Sequence, residues 1–348
     1  FLDQYTYKRY YHYYGHCTDS YSMINTINDL THLQPLLSCK NSFSLANKKL
    51  ALVKIDGGLG DFFLAFPSLI YILRRYPDAT LFCSYSIYEL LKKSNFDYQV
   101  LPLNNILDIR LDEFDSVINF NNIAVHSYPT KDSFINLSYP TFQTINTHIS
   151  HHYFYGIMRL NLPLNDFPIS YIQLPRSKNL SYCTIHMGAG DPNKSWPQIK
   201  FKQLIELILK KFPTLKIKLI KGPNDPEFIS ELSNLLSHSR IELLPALSLA
   251  KLAKHIKQGR FHIGNDSGIS HLAGAINHPN IAIFGPTGPG SWRPLGDHSL
   301  TLWNTHNVCN VHCDHIIMNN CSHKICLNSI LPSSVLDGVD MLMNKDIE

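Results

Sequence analysis

The 348-residue sequence has no apolar run that approaches the length of a membrane-spanning helix. Its opening, FLDQYTYKRYYHYYGH, is aromatic and polar and has no apolar segment of the signal-peptide kind. Charge is scarce: 31 Lys and Arg stand against 27 Asp and Glu, a formal net charge of +4 spread along the chain. That balance lacks the basic footprint of a nucleic-acid binder and suits an anionic substrate or a transient contact with a membrane surface. Eight cysteines in a chain this long do not make the disulfide framework of a small secreted domain. A cytoplasmic enzyme is the expectation, with peripheral contact at the inner face of the cytoplasmic membrane left open. Cofactor signatures are missing too. The turn Asp56-Gly57-Gly58-Leu59-Gly60-Asp61 is not G-x-G-x-x-G, because Phe63 stands at the third position. Ser84-Tyr85 follow the second expected strand, where a dinucleotide site needs an acid for the ribose. There is no G-K-[ST] phosphate loop, and no Asp-x-Asp at a strand end to hold a catalytic divalent metal.

What is present is an alternation of strands and helices. The length and the 44% hydrophobic content fit two packed domains. Residues 1–45, crowded with tyrosine at the start, read as an N-terminal extension packed on the first domain, or as an acceptor, membrane-surface or subunit contact. Residues 46–175 hold strands at Lys49–Ile55, Ala79–Ser84, Gln99–Leu101 and Ser116–Asn119, with helices at Phe62–Tyr76 and from His148 to Leu160. His148, His151 and His152 could be read as metal ligands, but no carboxylate or cysteine lies nearby in sequence, which favours surface or acceptor-cleft residues. The polar, aperiodic stretch 173–181 is the best linker. Residues 181–330 begin with strand Tyr182–His186 and the loop Met187 to Pro197, then helix Phe201–Phe212 and strand Lys216–Ile220. Residues 331–348 supply a final helix.

The most informative stretch is FHIGNDSGISHLAGAINHPNIAIFGPTGPG, residues 261–290. Phe261–Ile263 is a buried strand and Gly264–Gly268 a tight polar turn. Ile269–Ile276 is a helix, apolar at Ile269, Leu272, Ala273 and Ile276. Asn265, Asp266 or Ser267 can cap it. Ile281–Phe284 is a second strand that runs into a Gly-rich loop. Such a unit places free helix-start N–H groups and a second small-residue loop beside one ligand, typically a phosphate. Asp61, at a helix start after a Gly-rich turn, is on its own evidence either a first-turn helix charge or a general base.

Asn265-Asp266-Ser267-Gly268 with His271-Leu272-Ala273, then Phe284-Gly285-Pro286-Thr287, resembles the signature of glycosyltransferase family 9, the bacterial ADP-heptose transferases of lipopolysaccharide core assembly. Two more motifs match in order: Gly57–Asp61, and Lys194-Ser195-Trp196-Pro197. The resemblance covers about residues 48–330 and not the N-terminal extension. It implies a GT-B fold, two Rossmann-like α/β domains facing across a cleft, and an inverting transfer needing no cofactor for its chemistry. Asp61 takes the position of the catalytic base, and Lys194 that of the cation facing the donor diphosphate. Gly60, Gly188, Asp266, Ser267, Gly268, His271, Gly285, Pro286 and Thr287 would line the donor site. Glu227, with Asp225 close behind, is the candidate nucleoside contact, with helix capping equally open. Asp266 beside phosphates would repel them, so it is expected to cap the helix or to bind sugar hydroxyls.

Cys309, Cys313, Cys321 and Cys326, with His312, His315 and His323 among them, could hold a structural zinc or iron, or remain thiols or disulfides. Protein-modifying members of the family hold iron in such a finger. The expected donor is ADP-heptose or another nucleotide-diphosphate sugar. The expected acceptor is the lipopolysaccharide inner core, with an autotransporter protein as the alternative. A non-catalytic sugar-nucleotide-binding subunit is the reading from another class; retention of Asp61 and Lys194 speaks against it.

Overall fold

The computed structural model describes residues 45, 48–105, 108–110, 113–121, 134–137, 148–158, 171–175, 180–223, 225–304, 313 and 315–344. Nearly all of the N-terminal extension, part of the expected linker, and Cys309 and His312 lie outside the described residues.

Two parallel sheets carry the described chain. The first is built from β1 (Leu50–Lys54), β2 (Thr80–Cys83), β3 (Val100–Pro102), β4 (Ser116–Asn119) and β5 (Phe134–Asn136), in the order β3-β2-β1-β4-β5. Its helices are α1 (Leu59–Arg75), α2 (Tyr85–Lys92) and α3 (Ile149–Met158). The second holds β6 (Tyr182–His186), β7 (Lys216–Ile220), β8 (Ile241–Leu243), β9 (His262–Asn265), β10 (Asn280–Phe284) and β11 (Ser299–Trp303), in the order β11-β10-β9-β6-β7-β8. Helices α4 (Gln198–Lys211), α5 (Leu249–Gln258), α6 (Gly268–Ala275) and α7 (Pro332–Met343) accompany it. Each sheet reverses its strand order beside its first strand, at β1/β4 and β6/β9. The strands β1, β2, β4 and β10 are buried throughout, as expected where helices cover both faces.

The two halves share one apolar core. Phe63, Phe66 and Leu73 of α1 and Ile87 and Leu91 of α2 belong to the same buried cluster as Leu252 and Ile256 of α5 and Leu272, Ala273 and Ile276 of α6. Helix α1 packs on α6 and α2 on α5. The two halves are thus joined by helix packing. The Ile172 N–H donates to the Ala275 carbonyl at 2.8 Å and adds a backbone tie between the halves.

The final helix, α7, stays on the second sheet. Val335, Val339 and Leu342 join the core around Ile281 and Phe201. Lys211 pairs with Asp340 at 2.5 Å and Arg260 donates to the Met343 carbonyl at 3.0 Å. The apolar stripe of α7 finds its cover on α4 and β10.

Candidate active site

Asn265 ends β9 and ties the loops of the second sheet together. Its side chain accepts from the Trp196 N–H at 2.9 Å and donates to the carbonyls of Met187 and Gly188 at 2.7 and 3.1 Å. Trp196 is itself buried, donates to the Ile330 carbonyl at 3.2 Å, and packs edge-on against Phe201. This fixes the turn Pro192–Lys194, and with it Lys194.

Asp266 is 5% exposed and gathers the site. Lys194 Nζ donates to its Oδ2 at 3.1 Å and Thr287 Oγ1 to the same atom at 2.5 Å. His271 Nε2 stands 3.8 Å from Oδ1, within ion-pair range and beyond a hydrogen bond. Burial pushes this carboxyl up, but His271, Lys194 and Thr287 outweigh it and hold it at about 2. Asp266 thus anchors the candidate cation and the Thr287 loop; among its described bonds there is no cap to α6. Ser267 occupies the N-cap position, and its side chain makes no capping bond either.

The start of α1 faces the start of α6. A Cβ on Gly268 would lie 2.7 Å from the Leu59 Cβ, and one on Gly60 would lie 2.8 Å from His271 Cδ2. Glycine at both positions lets the two helix starts touch. Gly57 turns the chain before α1 at φ +77°. Asp61, half-buried in the first turn, accepts the Gly58 N–H at 2.9 Å. Its role as a first-turn helix charge is thus visible, and its position beside the α6 start is compatible with a base. Below this loop lies a polar cluster that the sequence reading missed. Lys54, fully buried, pairs with Asp56 at 3.0 Å, and Asn121 Oδ1 accepts from the N–H groups of Ile55 and Asp56. A lysine inside an otherwise apolar strand was the available signal.

At the other candidate positions the placements divide. Glu227 sits on the surface, its side chain 89% exposed and paired with Lys221. Asp225 turns inward instead: it accepts from His186 Nε2 at 2.9 Å and packs so closely on Gly188 that a Cβ there would lie 1.7 Å from its Oδ1. Gly285 fits against Leu327, and its carbonyl accepts from Trp303 Nε1 at 3.1 Å. Pro286 is buried beside it.

Residues 158–319 match the model of glycosyltransferase family 9 (heptosyltransferase). Lipopolysaccharide heptosyltransferase 1 of Campylobacter coli is 42% identical over 114 residues, 32% of this chain and 33% of that protein. By these matches the second half of the chain is similar to glycosyltransferase family 9. The sequence match spans about a third of the length of that curated relative. Structural likeness runs further. The Escherichia coli heptosyltransferase WaaC with ADP has a TM-score of 0.60 at 16% identity, covering 84% of this chain and 99% of that one. The iron-containing dodecameric glycosyltransferase TibC from enterotoxigenic E. coli H10407 has a TM-score of 0.62 at 16% identity, covering 87% and 80%. These likenesses carry the fold alone, two Rossmann-like halves.

The expected metal finger is not assembled by the described residues. Among them no group of three or more His, Cys, Asp or Glu side chains could hold a metal ion. Cys321 lies 3.7 Å from His323 Nδ1, and Cys313 and Cys326 do not complete a ligand set with them. Three cysteines within fourteen residues are close in sequence, yet the short helices His315–Asn320 and Ile325–Asn328 separate them.

Proposed function

We propose that this chain is an inverting glycosyltransferase that moves a heptose from ADP-heptose to an acceptor hydroxyl of the lipopolysaccharide inner core. The observation that carries this reading is the contact of two helix starts: the one bearing Asp61, and the one behind which Asp266 gathers Lys194 and Thr287. The name of the Campylobacter coli relative and the ADP bound to the E. coli neighbour support the donor and the acceptor. The donor diphosphate would lie against Lys194, the first-turn amides of α6 and the Gly285–Thr287 loop. Asp61 would take the proton of the acceptor hydroxyl as its oxygen bonds to the anomeric carbon from the face opposite the diphosphate. The bond from that carbon to the diphosphate oxygen breaks, and ADP departs with its charge on Lys194. Asp225 replaces Glu227 as our candidate for the nucleoside contact, because it alone of the two turns inward. The first Rossmann-like half would receive the acceptor and the second the donor, on the cytoplasmic side of the inner membrane.

A protein acceptor is the second reading. It is favoured by the likeness to TibC and by the cysteine-rich segment after Trp303.

The test is transfer of heptose from ADP-heptose to heptose-deficient lipopolysaccharide and, separately, to an autotransporter passenger, with wild type and Asp61→Ala. Transfer to one acceptor, reduced by roughly 10²–10⁴-fold in the variant, is expected for loss of a general base. An Asp61→Ala enzyme that keeps full activity would remove the base, and wild type that neither binds nor consumes ADP-heptose would remove the donor.

A further inference from the structure

The second sheet reverses its strand order between β6 and β9, and ligands of open α/β sheets bind outside the strand ends at such a point. His186 is the last residue of β6, and Ser267 follows β9 by two residues. His186 is 4% exposed and held on both ring nitrogens: Nε2 lies 2.9 Å from Asp225 Oδ2 and Nδ1 lies 3.5 Å from Ser267 Oγ. Burial raises the Asp225 carboxyl, but the bond from His186, the Gly222 N–H and the nearby Lys221 prevail and hold it below its usual range. An ionised Asp225 only accepts, so His186 donates from Nε2, while Nδ1 and the Ser267 hydroxyl share the second bond.

This arrangement has a consequence for α6. Serine at an N-cap ordinarily turns its oxygen to the first-turn N–H groups. Ser267 does not; its hydroxyl leans to His186 and its side chain makes no capping bond. The first-turn amides are left to a ligand. Beside them Lys194 supplies a cation. The buried His271 Nδ1, in the same turn, has no hydrogen-bond partner among the described residues.

We propose that His186, oriented by Asp225, is a positioning residue of the donor site: by holding the Ser267 hydroxyl it keeps the first-turn amides of α6 open to the diphosphate of a nucleoside-diphosphate donor. The proposal rests on the reading of this site as the donor site. Gly188 belongs to the same device, since only glycine there leaves room for Asp225.

Titration calorimetry with inorganic pyrophosphate and, separately, with ADP tests it on wild type, His186→Gln, Asp225→Ala, Ser267→Ala and the pair His186→Gln/Ser267→Ala. Glutamine keeps a donor for Asp225 and loses the ring nitrogen that meets the Ser267 hydroxyl. His186→Gln is expected to weaken pyrophosphate binding about tenfold, the worth of a hydrogen bond to a charged group. Asp225→Ala should also weaken it, although removing a negative charge near an anion site would by itself tighten binding. Pyrophosphate has no ribose, so a direct nucleoside contact of Asp225 plays no part in that result. The pair should bind pyrophosphate like Ser267→Ala alone, because no hydroxyl is left to close the amides. The proposal is overturned if Asp225→Ala binds as tightly as wild type, if the pair is weaker than Ser267→Ala alone, or if wild type does not bind pyrophosphate. Should His186→Gln fail to fold, Asp225→Ala, in a loop, carries the decision. Wild type that binds pyrophosphate but neither ADP nor ADP-heptose sinks the donor assignment and leaves the role of His186 standing.

Discussion

Gly60 of α1 and His271 of α6 lie in contact, so that a Cβ on the glycine would stand 2.8 Å from His271 Cδ2. That contact joins the candidate base to the candidate anion site, because Asp61 is the next residue and His271 neighbours Asp266. Gly60→Ala must push the ring or the first turn of α1 away. Overpacking of this kind costs about 1–3 kcal/mol. The expected outcome is a melting temperature lower by several degrees, and transfer activity lower by more than the stability loss explains. Gly190→Ala is the control, since a Cβ there meets nothing within 4 Å.

The pH dependence of stability should carry the mark of Asp266. Its carboxyl is held at about 2 in the fold against an ordinary value of 3.8. A depressed carboxyl stabilises the fold above its unfolded value and loses that contribution as pH falls through the folded one. The contribution is on the order of 2 kcal/mol, whole above about pH 4 and gone below about pH 2. Urea unfolding of wild type and Asp266→Asn between pH 2 and 6 reads it. The difference between the two proteins should hold above about pH 4 and shrink between about pH 4 and pH 2; a constant difference throughout would show that the charge is not what matters.

Buried histidines act in the opposite pH range. His148 is held well below its usual value, first by burial and then by the positive Arg293 and His151. His262 is lowered to about 3 by burial and by His186. For both, the unfolded chain takes up a proton that the fold refuses. Stability is therefore full above about pH 6.5 and declines as the pH falls below it, by up to about 1.4 kcal/mol per pH unit for each histidine. His148 Nε2 also bonds the Arg293 carbonyl at 3.0 Å, a link between the helix α3 region and the second half. Melting temperatures from pH 7.5 to 5 should fall for wild type, and the fall should be shallower for His148→Gln.

The strands were the most legible part of the chain. Ser116–Asn119, Tyr182–His186 and Lys216–Ile220 have the bounds read from the sequence; the first is buried throughout, whereas β7 alternates, with Lys216 exposed and Lys218 half-buried. Two helix starts were misjudged by three residues. α1 begins at Leu59 after Gly58 and α4 at Gln198 after Pro197, and neither Gly58 nor Pro197 has a side chain that could cap the helix. At the site, Lys194, Asp266 and Thr287 converge as their motifs suggest. The choice between Glu227 and Asp225 was not legible. They stand two residues apart in a turn, and what separates them is the room left by Gly188, thirty-seven positions away. His186 was invisible as a site residue for the same reason: its partners come from two other loops. Nor does the amphipathic pattern of α7 say which sheet will cover it.

Asn265 offers the sharpest ranking of substitutions. It is fully buried, and each polar atom of its amide is used: the oxygen by Trp196 N–H, the nitrogen by two carbonyls. Asn265→Ala leaves three backbone groups without these bonds, at roughly 1–3 kcal/mol for each group that water cannot reach. It should destabilise the protein by about 3 kcal/mol or more and loosen the loop that carries Lys194. Asn265→Asp keeps the shape but is the worse change near neutral pH. The second oxygen would face the Met187 and Gly188 carbonyls, acceptor against acceptor, in a site with no room for water. Its carboxyl can relieve this only by holding a proton and donating it to one of them. Denaturant unfolding should therefore rank wild type above Ala above Asp at pH 8. The gap between Ala and Asp should close as the pH falls toward 5, because the protonated acid regains one donor while alanine regains none. If Asp were as stable as wild type at pH 8, the amide would not be the knot that holds these loops.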